Sequence, residues 1–89
     1  MNFKINFTTK AKEQYFELAE NPSLAKRHKA VCKSLALMET NIRHPSLNTH
    51  IFDDLIGENG EKVFEAYRIF WHYGPDKNEI TIIAITPHP

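Results

Sequence analysis

A single cysteine, Cys32, is all this 89-residue chain contains, so it has no internal disulfide and a reducing cytoplasm is the expected setting. Its place inside a predicted helix makes it a small buried filler rather than a reactive thiol. No apolar run exceeds the length of a strand, which leaves no candidate membrane span. The opening MNFKINFTTK alternates instead of forming an apolar block, so a signal peptide is not expected. Five histidines and one cysteine show neither an HExxH motif nor paired-cysteine spacing, and no metal or other cofactor is expected. Glycine is scarce, and the one acid- and glycine-rich segment, Gly57-Glu58-Asn59-Gly60-Glu61, is no phosphate cradle. It lacks the P-loop lysine, does not lead into a helix, and carries two glutamates that repel phosphate. An excess of one charge is missing too. Residues 1–44 carry eight Lys or Arg against four Glu, and residues 45–89 carry three against seven Asp or Glu. A uniformly basic chain would indicate nucleic acid; this dipolar one permits such a partner on one side only.

What is present is enough for one small α+β domain spanning residues 1–89. Asn2 to Phe7 alternates, with Phe3, Ile5 and Phe7 on one side, as a half-buried strand does. Thr8 or Thr9 offers an N-cap for a helix through about Glu20, whose apolar face is Ala11, Tyr15, Leu18 and Ala19. Asn21-Pro22 breaks that helix and starts a second, predicted to run to about Ile42. Its seam is Leu24, His28, Val31, Leu35, Met38 and Ile42, spaced to pack against a neighbour along its length. So short a link predicts an antiparallel helical hairpin lying on the sheet. Thr49 to Leu55 reads as a strand. A long one over 63–73 follows, then the turn Gly74-Pro75-Asp76-Lys77-Asn78 and a last strand through Ile80, Ile82, Ile83 and Ile85.

The expected architecture is therefore two layers, strand-helix-helix-strand-strand-strand, with the helices on one face of a mostly antiparallel sheet. As one continuous strand, 63–73 puts Phe64, Ala66, Arg68, Phe70 and His72 on one side and Val63, Glu65, Tyr67, Ile69, Trp71 and Tyr73 on the other. Neither set is polar throughout. The face away from the helices is thus expected to be partly apolar, suited to a partner or a homodimer. Arg68, His72 and His88 are the polar groups that interrupt this region and the first candidates for function. Lys26, Lys29 and Lys33 share the outer side of the second helix, as a solvated face or as a footprint for an acidic partner.

Taken together, the strand-helix-helix opening, RHPSLNTH at 43–50, YRIFWHY at 67–73 and ITIIAITPHP at 80–89 resemble the RelE/ParE toxin superfamily of bacterial toxin–antitoxin pairs. The likeness covers essentially the whole chain. It implies a cytoplasmic toxin held by a cognate antitoxin, and, for the mRNA interferases of the family, cleavage of message on the ribosome without a metal. Such cleavage needs a base for the 2′-hydroxyl, an acid for the leaving 5′-oxygen and a cation for the charge on phosphorus. By position, Arg68 matches the family's strand arginine, and His88 the histidine that several members place after the last strand. His50 is the first choice for the remaining catalytic partner, with Glu61 behind it. Lys62 supplements the positive charge, and His72 and Tyr73 are candidate RNA contacts. Relatives often carry a short hairpin between FEAY-like and AYRIF-like segments, whereas here Phe64-Glu65-Ala66-Tyr67 is read as running straight into Arg68. A non-catalytic protein-binding module of the same fold and a ParE-like inhibitor of DNA gyrase are the alternative readings.

Overall fold

A computed structural model describes residues 2–86. Strand β1 (Lys4–Phe7) leads into helix α1 (Thr9–Glu20), and a 3₁₀ turn at Pro22–Leu24 leads into helix α2 (Ala25–Thr40). A second 3₁₀ turn, Pro45–Leu47, precedes β2 (His50–Ile56), β3 (Lys62–Ala66), β4 (Ile69–Tyr73) and β5 (Glu79–Ile85). The five strands form one sheet in the order β1-β5-β4-β3-β2, parallel between β1 and β5 and antiparallel elsewhere. The expected α+β class therefore holds, with five strands where four were predicted. Among the described residues no helix is long and apolar enough to cross a membrane.

Local chemistry accounts for the helical half. The Thr8 hydroxyl accepts the Ala11 N–H at 3.1 Å and satisfies one of the donors exposed at the start of α1. The Asn21 side chain accepts from the Ser23 N–H at 3.0 Å, and Pro22 takes the first position of the turn it caps. The second helix is shorter than predicted at both ends. Its first turn is 3₁₀, and the chain leaves the helical region at Asn41, whose φ is −152°. Its seam nevertheless packs as the spacing requires. Val31 and Met38 are fully buried, and Leu24, Leu35 and Ile42 lie against the same core. With Ala11, Leu18, Ile69, Trp71, Ile80, Ile82 and Ile85 they fill the space between helices and sheet. Each large apolar side chain buried there contributes about 1.5–3 kcal/mol.

The stretch 63–73 is not one strand. Ala66 pairs with Ile69 and Phe64 with Trp71, so Tyr67 and Arg68 form a two-residue hairpin turn. Tyr67 enters the left-handed region at φ +59°, a conformation that glycine or asparagine adopts far more readily. Nothing in the apolar pattern marks this reversal, because both arms are strand-formers and neither turn residue is Gly, Pro, Asn or Asp. The turn also corrects the expected division of side chains. Across a two-residue hairpin, paired residues share a face, so Phe64 and Ala66 join Ile69 and Trp71 on the helix side. Val63 and Phe70 lie together on the other face with Ala84, Phe52 and Ile83. A register shift between β4 and β5, at Phe70/Trp71, is what lets both Ile82 and Ile85 reach the core.

Candidate functional site

The sheet's outer face has two polar ends separated by its apolar middle. At one end His50, the first residue of β2, pairs in register with Glu65 of β3. His50 Nε2 lies 2.8 Å from Glu65 Oε1, and the other ring nitrogen lies 3.2 Å from the Asn48 carbonyl oxygen. Both partners can only accept, so the Asn48 contact needs a proton on Nδ1 and the carboxylate contact needs one on Nε2. The His50 side chain is 60% exposed and that of Glu65 22%, so the imidazole is reachable while the carboxylate that orients it is half-sheltered.

Arg68 sits three residues beyond Glu65, in the β3–β4 turn at this same end. Its guanidinium carbon lies 5.3 Å from the centre of the Tyr67 ring, a cation–π distance. The Arg68 carbonyl accepts the Thr86 N–H at 3.0 Å, which ties the end of β5 to the turn. His88 lies outside the described residues.

The opposite end collects the other predicted residues. Glu61 closes the loop before β3: its carboxylate accepts the Asn59 N–H at 2.9 Å, and its carbonyl accepts the Gly57 N–H at 2.9 Å. Hydrogen bonds from its own backbone and that of Asn59 hold the Glu61 carboxyl below its usual range, with a smaller contribution from His72. Glu61, His72, Thr81 and Asn59 line a cavity of about 200 Å³. His72 is buried, and its Nδ1 lies 2.8 Å from the Tyr73 carbonyl oxygen. About 17 Å of strand separates Glu61 from the Arg68 turn, at roughly 3.3 Å per residue. Glu61 therefore does not join Arg68 and His50 in one site, and Glu65 takes the carboxylate position beside His50. No sequence signal singled out Glu65, since its partner is fifteen positions away across a register that only the fold sets.

Lys62 begins β3 and is exposed. Tyr73 ends β4 on the helix-facing side, in an aromatic cluster with Phe3, Phe64 and Trp71. There it borders a recess of about 360 Å³ that is also lined by Arg43, His44, Asn48, Phe64 and Trp71. His72 and Tyr73 thus face opposite sides of the sheet rather than one RNA-binding surface. Lys26, Lys29 and Lys33 are exposed on α2, in the helical layer. Among the described residues no three His, Cys, Asp or Glu side chains cluster as metal ligands. No protein-family model matches the chain, and neither the curated proteins nor the solved structures contain a match to it.

Proposed function

We propose that this protein is the toxin of a type II toxin–antitoxin pair and cleaves messenger RNA at the ribosome by general acid–base chemistry. One observation carries the reading: the His50–Glu65 pair, the Arg68 turn and the end of β5 all occur at one end of the sheet. An imidazole paired with a carboxylate suits acid–base proton transfer with the reacting oxygens of the ribose and phosphate. A guanidinium carried on the adjoining turn suits the charge that accumulates on the phosphate as the 2′-oxygen attacks. The resemblance to RelE/ParE toxins offers His88 as a further acid or base. It also supplies the ribosome as the place of action and an antitoxin as the partner.

A second reading, a protein-binding module without catalysis, draws on the opposite edge of the sheet from β1. There β2 is an edge strand with Ile51, Leu55 and Ile56 exposed, a template for strand addition by a partner chain. Induced expression of wild type, Arg68→Ala and His50→Ala separates the two. Growth arrest with new 5′-hydroxyl ends in message, lost in both variants, supports the nuclease. Arrest that survives both substitutions and brings DNA damage supports gyrase inhibition, and no arrest from wild type supports the binding module.

A further inference from the structure

Between the helices, well away from the sheet's outer face, three unlike side chains meet. Tyr15 projects from α1, and His28 and Cys32 stand one turn apart on α2. His28 Nε2 lies 3.2 Å from Tyr15 Oη and 3.4 Å from Cys32 Sγ, and Oη lies 3.5 Å from Sγ. The three donor atoms therefore form a closed triangle.

Hydrogen bonding alone cannot use that triangle fully. Nε2 carries either a proton or a lone pair, never both, so it cannot donate to one neighbour while accepting from the other. At most two of the three edges are ordinary hydrogen bonds, and the third is proximity without one. All three side chains are half-buried. A cavity of about 350 Å³, lined by Phe7, Lys12, Tyr15, Phe16 and Leu35, leaves room beside the phenol ring.

We propose that Tyr15, His28 and Cys32 form a binding site for a thiophilic divalent cation of the zinc class. Tetrahedral zinc with bonds of about 2.3 Å to sulfur and about 2.0–2.1 Å to nitrogen and oxygen sets nitrogen and oxygen roughly 3.3–3.4 Å apart and each roughly 3.5–3.6 Å from sulfur. The trio's edges of 3.2, 3.4 and 3.5 Å are close to these, so the cation requires little rearrangement. Thiolate, imidazole and phenol oxygen occupy three positions, and water takes the fourth on the exposed side. Binding releases the thiol proton to solvent, and any phenol proton displaced follows it. The i, i+4 spacing of His28 and Cys32 was visible in the sequence; the third donor was not, because it belongs to another helix.

The site is independent of the proposed nuclease, and its test needs no activity. Metal-free reduced protein is titrated with Co²⁺ and then with Zn²⁺ as competitor. One equivalent of Co²⁺ should bring a thiolate-to-metal charge-transfer band, which Zn²⁺ abolishes. Cys32 is the only cysteine, so that band reports this site alone. Tyr15→Phe and His28→Gln should each weaken Co²⁺ binding by roughly tenfold or more. Metal-free melting curves are recorded beside each variant, and Tyr15→Phe, which keeps the ring, serves if His28→Gln does not fold. Absence of the band, a band at one cobalt per two chains, or a band indifferent to either substitution overturns the site.

Discussion

His50 Nε2 and Glu65 Oε1 stand 2.8 Å apart across the β2–β3 ladder, joining the first residue of one strand to the fourth of the next. The pair lies beside the turn that carries Arg68. An exposed ion pair adds only about 0–1 kcal/mol to stability, so its effect on chemistry and its effect on folding separate cleanly. Glu65→Gln should lower RNA cleavage by about tenfold or more, within the range of a disturbed acid–base group, while leaving urea stability within about 1 kcal/mol. The measurements are message cleavage by primer extension and a denaturation curve. Full cleavage by the variant would remove the carboxylate from the mechanism.

The β3–β4 turn holds Tyr67 at φ +59°, which costs a residue with a Cβ about 1–2 kcal/mol. Asparagine tolerates this region, whereas losing the Tyr67–Arg68 contact forfeits about 0.5–1 kcal/mol. Tyr67→Asn should therefore stabilise the fold by up to about 1 kcal/mol. It should also reduce activity, because the ring no longer positions the guanidinium. Equilibrium unfolding and the growth-arrest assay read the two effects separately.

Gly57 is buried in the loop between β2 and β3, with the Glu61 side chain where a β-carbon would go. A methyl group there would meet Glu61 Cβ at 2.9 Å and press on its carboxylate as well. Gly57→Ala should cost about 1–3 kcal/mol, the usual penalty of forcing extra volume into a packed site. A midpoint in urea unchanged from wild type would contradict this packing.

Glu61 also predicts a pH dependence. Hydrogen bonds from its own backbone and from Asn59 depress its folded-state pKa. Its contribution to stability is present above the unfolded carboxyl pKa and is lost as pH falls through the lowered folded value. Glu61→Gln should flatten the acid side of the melting-temperature profile and leave its alkaline side unchanged. Parallel profiles for the two proteins across the acid range would refute this.

Trp71 is 1% exposed, and its Nε1 has no hydrogen-bond partner among the described residues. A buried unsatisfied donor costs about 1–3 kcal/mol, which Trp71→Phe removes while giving up part of the packing. The substitution should therefore cost clearly less than the roughly 3–5 kcal/mol of a Trp→Ala change in a core. Chemical denaturation of Trp71→Phe and Trp71→Ala side by side measures the difference.

What local chemistry specifies, the chain alone determines. The Thr8 cap, the Asn21-Pro22 break, the α2 seam and the 74–78 turn depend on residues within a few positions of one another, so spacing and residue type suffice to read them. The Tyr67-Arg68 reversal, the parallel pairing of β1 with β5, the union of His50 with Glu65 and the meeting of Tyr15 with His28 and Cys32 were decided in three dimensions. Each depends on which distant apolar surfaces bury one another: Phe64 must stack on Trp71 at 5.0 Å, and α1 must lie against α2, before those polar groups have neighbours at all. Burial energy is non-directional and collective, so no short stretch of sequence carries its outcome.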